Sequence, residues 1–337
     1  MKIDLQHFQT AHCENGVTTN LLRHNGVSQI TEPLAFGIGS GLFFINIPFF
    51  KVNNGPAISF RTMPGLIFKR TCESLEIRIV RKKFRSRLSA MQFLDNKLSE
   101  GKIVGCQVGV YYLSYFPKEY RFHFNAHNLI VFGKENDQYL ISDPVMEYTT
   151  TLTSFELERV RFAKGILSPK GQLFYPKVDK EVTNEQIKLA IRKGIKRNVR
   201  DMLLIPGYFA GIKGIAYTGN QIKKLREKLG IELAGLYLAQ LVRMQEEIGT
   251  GGGGFRYIYA AFLQESTKYY NFDELTRLSQ QFTNAGDLWR SAAIHAASIY
   301  KGRLTTQQDF NIMGDHLLEI SEKEKQAFKA LSKIRFK

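Results

Sequence analysis

Three cysteines among 337 residues, Cys13, Cys72 and Cys106, are too few and odd in number for a disulfide framework. The N-terminus, MKIDLQHFQTAHC, lacks the apolar core of a secretory signal. Together these absences predict a cytoplasmic protein with reduced thiols. No Pro- or Ser-rich tail suggests disorder, and prolines are few, nine in all, which leaves room for long helices. No His/Cys grouping has metal-ligand spacing, so no metal is expected. Zinc-finger spacing, an RNA-recognition signature and aromatic–basic interleaving are also missing, so nucleic acid is not an expected partner. Long uncharged runs are scarce. Leu34 to Phe50 (LAFGIGSGLFFINIPFF) carries no charge over 17 residues. Three glycines, Asn46 and Pro48 interrupt it, and it is shorter than the ~20 apolar residues of a spanning helix. It reads as buried loop and strand, with no transmembrane segment.

What is present is an apolar fraction of 44%, enough for a packed core, in a chain long enough for two domains. Lys and Arg number 47 against 31 Asp and Glu, a net charge of +16. Such a field attracts polyanions, acidic proteins or anionic lipid. The charge is concentrated in two stretches. Lys69 to Arg87 holds eight basic residues against Glu73 and Glu76, and Lys188 to Arg200 adds Arg192, Lys193, Lys196 and Arg197. Lys82, Lys83, Arg85, Arg192 and Arg197 are the candidates for a docking surface. A solvated basic face is the plainer reading, and both stand at this point.

The pattern along the chain predicts an α+β fold in two parts. Residues 1–150 read as a mixed α and β catalytic domain, 151–180 as a connecting segment, and 181–337 as an all-α domain. A first helix is expected from Cys13 to His24, stopped by Asn25-Gly26. A short second helix is placed at Ser28 to Phe36, and another at Ser89 to Ser99, with Gly101 as its stop. Ile103 to Tyr115 is rich in β-branched and aromatic residues, as a buried strand should be. His127–Gly133 and Tyr139–Ser142 are two more strands around a polar turn. From Thr183, whose spacing to Gln186 suggests a capping box, helices are expected to the end: 184 onward, then near 211–228, 231–248, 254–270, 273–300 and 305–334.

The chemistry centres on His12-Cys13-Glu14-Asn15-Gly16. A thiol is a useful nucleophile as thiolate, and a helix N-terminus and a nearby imidazolium both favour that form. Cys13 stands where the first helix should begin. The plainer reading is a buried structural cysteine. Cys72, in a basic run, and Cys106, in an apolar strand, have no comparable surroundings. His127 starts one strand and Asp143, sixteen residues further on, ends the next. If the two face each other, the hairpin midpoint is residue 135, inside the polar turn. Asp143 would then accept a hydrogen bond from the imidazole and fix its tautomer. The order Cys, His, Asp is that of nucleophile, base and orienter in a papain-like cysteine enzyme. His7 and His12 have no carboxylate placed to orient them. Gly249–Gly254 could bind phosphate at a helix start, but it lacks the Lys-Ser/Thr of a nucleotide loop, and a tight interhelical turn is the simpler reading. Glu32 reads as a cap or core acceptor, and Asn125 and Asn128 as residues that satisfy strand-end backbone.

H-C-E-N-G at 12–16, E-P-L-A-F-G-I-G-S-G at 32–41, and A-H-N-L-I-V-F-G with I-S-D-P within 126–144 resemble the N-terminal domain of the butirosin biosynthesis protein H family. G-I-K-G-I at 211–215 and G-T-G-G-G-G-F-R-Y-I-Y-A-A-F-L at 249–263 resemble the uncharacterised domain that follows it in that family. The resemblance implies a papain-like fold akin to the cysteine peptidase domains of bacteriocin exporters. It also implies acyl transfer from an acyl carrier protein to an amine, with Cys13 as acyl-accepting nucleophile, His127 as base and Asp143 as orienter. One departure stands out. Papain-like enzymes usually place an oxyanion-hole glutamine six residues before the nucleophile, where this chain has His7. Gln9, four before, is the alternative, and the backbone N–H of Cys13 is the safer donor.

The expected function is therefore a thiol acyltransferase of secondary metabolism. Its donor would be the phosphopantetheine arm of an acidic acyl carrier protein, its acceptor a small-molecule amine or hydroxyl, and it would bind no cofactor of its own. A peptidase or amidase with the same three residues is the enzymatic alternative. A non-catalytic basic protein that binds carrier protein or lipid is the other.

Overall fold

A computed structural model describes residues 1–52 and 55–336. In chain order the elements are α1 (Cys13–His24), α2 (Glu32–Ile38), β1 (Leu42–Val52), β2 (Gly55–Arg61), α3 (Leu66–Ser74), β3 (Arg78–Lys82), α4 (Arg87–Ser99), β4 (Val104–Val108), β5 (His127–Glu135), β6 (Gln138–Ser142), β7 (Thr150–Thr153), α5 (Ser154–Arg161) and β8 (Leu173–Lys177). Helices α6 (Asn184–Leu203), α7 (Gly211–Ile222), α8 (Leu225–Val242), α9 (Arg256–Ser266), α10 (Asp273–Tyr300) and α11 (Gln307–Lys333) follow. The fold is α+β, and it divides into two compact units: Met1–Ala35 with Ile67–Thr183, and Phe36–Leu66 with Asn184–Lys337.

The first unit is built on a six-stranded sheet of order β3-β8-β4-β5-β6-β7, antiparallel throughout. Helices α4 and α5 lend Ala90, Leu94, Leu98, Leu157 and Val160 to a core shared with Cys106, Leu129, Val131 and Ile141 of the sheet. Helix α1 packs elsewhere on the sheet, against β4, β5 and β8. With cover on both sides, β5 is buried from His127 to Gly133, which is why its sequence reads as a continuous apolar run. Asn136 takes the left-handed conformation (φ 53°) in the β5–β6 turn, as an asparagine can at little cost.

Two expectations for this region are corrected. Segment 151–180 is no connector: it contains α5 and contributes β7 and β8 to the sheet, with β8 between β3 and β4. The strand expected over 103–115 ends at Val108, because its partner β5 begins at the paired residue His127. Beyond it Gly109 N–H bonds Val160 O and Val110 N–H bonds Phe124 O, and the chain coils into a 3₁₀ turn at Val110–Tyr112.

The second unit is helical except for the β1–β2 hairpin, so 181–337 is not a self-contained all-α part. The uncharged run at 34–50 becomes the end of α2 and most of β1. From Phe36 on it belongs here, where Phe44 of the run and Phe60 of β2 lie 5.8 and 5.1 Å from the Trp289 ring. Asn46, the one polar side chain in that run's strand interior, gives its amide to Thr218 Oγ1 and Tyr237 Oη at 3.0 and 2.9 Å. Among the described residues no helix is long and apolar enough to cross a membrane. In the same core Arg256 and Glu324, both fully buried, pair through two bonds of 2.8 and 2.9 Å. Trp289 Nε1–H also donates to Glu324 Oε1, at 2.7 Å, and Arg256 Nη1 donates to Gly254 O. A buried ion pair is tolerable only when its remaining donors and acceptors are used in this way.

Candidate active site

All the side chains described next lie within the first unit. Helix α1 starts at Cys13, as its sequence predicts, and the motif residues around it each have a local task. His12 is the N-cap: its Nδ1 accepts the Asn15 N–H at 3.4 Å. Glu14 turns inward and caps α3, accepting the N–H groups of Ile67 and Phe68 at 2.9 and 3.3 Å. Gly16 permits close approach, since a Cβ there would sit 2.1 Å from Thr10 Oγ1 and 2.4 Å from Pro144 Cβ. Pro144 follows Asp143, so this one glycine sets how near the nucleophile's helix comes to the aspartate's strand end. Glu32 is a half-buried acceptor rather than a reacting group. Its oxygens take the Ala11 and His12 N–H groups at 3.0 and 2.9 Å, which holds the turn into Cys13. Burial raises its pKa, and those backbone bonds partly offset the shift.

The fold brings Cys13, His127 and Asp143 together, at 6%, 5% and 0% exposure. His127 Nε2 lies 2.7 Å from Asp143 Oδ2. The remaining ring nitrogen, Nδ1, is therefore the one left for Cys13, whose charge acts on the same imidazole. The hairpin register is not the one expected. Ile130 pairs with Ser142 and Val131 with Ile141, and a bulge separates these from Gly133. Continued by one residue, that register sets Leu129 opposite Asp143. The histidine–aspartate bond is thus a diagonal one, within reach of an imidazole.

Burial alone would lower the His127 pKa. The charges of Asp143 and Cys13 and the bonds to both outweigh it and push the value up to about 10. His127 is therefore held as imidazolium at neutral pH. Its folded value lies above the ordinary 6.5, so this site's contribution to stability is complete below about pH 6.5 and is lost as pH rises through about 10. Thermal melting followed from pH 6 to 10 should show that loss, and His127→Ala should remove this part of the slope. An identical slope in the variant would mean the ring is not charged in the fold.

Three neighbours went unrecognised in the sequence. Tyr115 donates its hydroxyl to Asp143 Oδ2 at 2.7 Å, and Val145 N–H donates to Oδ1 at 3.2 Å. Phe116 packs edge-on against the His127 ring, 5.4 Å between centroids. Tyr115 looks like a strand residue in an aromatic run, and only the coil after β4 brings it to Asp143 and its neighbour Phe116 to His127. Asn128 does more than serve the backbone. Its Nδ2 lies 3.1 Å from Ala126 O and 4.0 Å from Cys13 Sγ. Asn125 fills the expected backbone role, donating to Lys164 O and Ile166 O.

The oxyanion candidates sort differently from expectation. His7 is engaged by Ser142 Oγ at 2.8 Å and Met146 O at 3.0 Å, which ties the N-terminal segment to the end of β6. Gln9 is exposed, and the side-chain amide that does approach the sulfur belongs to Asn128. Among the described residues no group of His, Cys, Asp and Glu could hold a metal ion. In the second unit, Gly251–Gly254 all take positive φ, from 55° to 83°, so the run is a tight turn that only glycine adopts without strain. The Gly253 N–H is already given to Glu246, whose carboxylate occupies the place an anion would need.

The docking candidates lie apart in sequence and differ in setting. Lys82, Lys83 and Arg85 are exposed on the first unit, with the Lys82 ammonium 4.4 Å over the Phe93 ring. Arg192 and Arg197 are half-buried on α6 in the second unit, where Arg192 lines an open groove with Lys196, Lys333 and Arg335.

Comparison with known proteins gives two family matches. Residues 12–144 match the family described as Butirosin biosynthesis protein H, N-terminal. Residues 155–331, more than half of the chain, match the one described as Domain of unknown function (DUF4872). No curated protein matches. Among solved structures, the chain is similar to a Bacillus anthracis protein provisionally described as a C39-like peptidase. That similarity is at 13% identity over 54% of this chain and 100% of that one, with a TM-score of 0.36.

Proposed function

Since the chain belongs to the family described as Domain of unknown function (DUF4872), with a match to the butirosin biosynthesis protein H N-terminal domain ahead of it, we propose that it is a papain-like cysteine acyltransferase. The observation that carries the reading is the burial of Cys13, His127 and Asp143 together, with His127 Nε2 held 2.7 Å from Asp143 Oδ2. The sulfur of Cys13 attacks the carbonyl of a thioester on the phosphopantetheine arm of an acyl carrier protein. The carbonyl carbon gains the Cys13 sulfur and loses the carrier sulfur, which leaves with the proton that His127 gives up. An amine or hydroxyl acceptor then attacks the acyl-enzyme. His127 takes the acceptor's proton, and the acyl–sulfur bond to Cys13 breaks. The Cys13 backbone N–H, in the first turn of α1 where no helical carbonyl can accept it, is one oxyanion donor. The Asn128 amide is the second, because one of its hydrogens is free of Ala126 O.

Intact mass after incubation with acyl-carrier thioesters tests the reading. Acyl-enzyme that is discharged by an added amine faster than by water supports transfer. Discharge by water alone makes the protein a hydrolase, and no adduct with any donor makes it a binder.

The positive charge suits an acidic carrier and would act mainly on association rate. Reversing Lys82, Lys83 and Arg85 to Glu should slow reaction with a carrier-bound donor by about tenfold at low salt. The difference should shrink above 0.1 M, where the Debye length is about 10 Å. A small thioester mimic should react as before. Equal losses on both donors would point to a folding defect. Loss on neither would move the docking site to the groove beside Arg192.

A further inference from the structure

We infer that Tyr115 is a positioning residue for this site, completing a chain Tyr115–Asp143–His127–Cys13 in which it acts on the histidine through the carboxylate. The inference rests on the reading of Cys13, His127 and Asp143 as the reacting unit. Two donors converge on one oxygen: Tyr115 Oη and His127 Nε2 both stand 2.7 Å from Asp143 Oδ2, while Oδ1 is occupied by the Val145 N–H. A carboxylate held at both oxygens cannot rotate, so the direction of its bond to the imidazole is set before any substrate arrives.

The tyrosine does more than fill space. Burial, then the adjacent Asp143 charge and their bond, hold its hydroxyl well above its usual pKa, so it remains a donor. By sharing Oδ2 it draws electron density that would otherwise bear on His127 alone. Without it the aspartate pulls harder on the imidazolium, and the histidine holds its proton to higher pH and releases it less readily.

Tyr115→Phe keeps the ring and removes only the donor. The experiment follows the iodoacetamide reaction rate of Cys13 against pH, and single-turnover transfer from a small thioester, in the full chain. Tyr115→Phe should move the alkaline limb of the profile upward and slow transfer about tenfold, the scale of one hydrogen bond to a charged group. In an Asp143→Asn background the same substitution should have almost no further effect, because the pathway runs through the carboxylate. His127→Ala is the control for the underlying reading. If it leaves the Cys13 profile unmoved, the reacting unit itself is wrongly assigned and the inference falls with it. If it shifts the profile while Tyr115→Phe changes neither profile nor transfer rate, Tyr115 only packs, and the inference alone falls. Tyr115→Phe effects that add in full to those of Asp143→Asn would likewise overturn it.

Discussion

Alanine in place of Cys13 should leave no covalent acyl-enzyme and should lower turnover on the order of 10⁴–10⁶, the scale seen when a nucleophile is removed from a cooperating unit. The fold should survive. Cys13 is nearly buried but sits in the first helical position, and alanine is a good helix former there. The other two thiols provide the contrast. Cys72 and Cys106 are wholly buried, and burial pushes both thiols up, away from the reactive form. With limiting iodoacetamide, peptide mapping should therefore find the label on Cys13. Labelling concentrated on Cys72 or Cys106, or an acyl adduct that persists in Cys13→Ala, would remove Cys13 from the mechanism.

Asp143→Asn should cost turnover about 10²–10⁴ in a protein that still folds but melts at a lower temperature, because the charge that stabilises protonated His127 is lost. Asparagine matches the aspartate in size, so no cavity opens. The difficulty lies in its donors. With its oxygen toward His127 and Tyr115, its NH₂ faces the Val145 N–H, donor against donor. Turned over, it satisfies Val145 but presents NH₂ to His127 Nε2. That forces the proton onto Nδ1, the nitrogen that should face the sulfur. Either arrangement loses the charge that keeps His127 protonated. Single-turnover rates beside thermal melting distinguish the outcomes. An unchanged rate would reduce Asp143 to a turn former, and a collapsed melting temperature would make it a structural acceptor.

The same residues show which parts of this site were legible before the fold. The start of α1 at Cys13 follows from short-range signals: a cap at His12, an acid in the first turn and Asn25-Gly26 as the stop. The β5–β6 hairpin follows from two apolar runs around a polar turn, and it carries His127 and Asp143 to neighbouring strand ends even though its register differs from the one expected. Tyr115 could not be read this way. Its composition favours a strand, and it leaves the sheet because β5 supplies no partner beyond Val108. Likewise Glu32 could be recognised as an acceptor, but not as the acceptor for the backbone ahead of the nucleophile.

By itself the sequence determined the α+β class, the helix that opens on Cys13, the hairpin that bears the histidine and aspartate, and the basic charge. These depend on capping, periodicity and turn chemistry, which act over a few residues. The tertiary structure decided the rest. It placed 36–66 with the helices, since Asn46 finds its partners 172 and 191 residues away. It drew 151–180 into the sheet, put the Asn128 amide beside a sulfur 115 residues distant, and aimed Tyr115 at Asp143. A buried polar group must be satisfied by whatever donor or acceptor the packed core brings near it. That choice is made by packing between distant segments, and no local pattern encodes it.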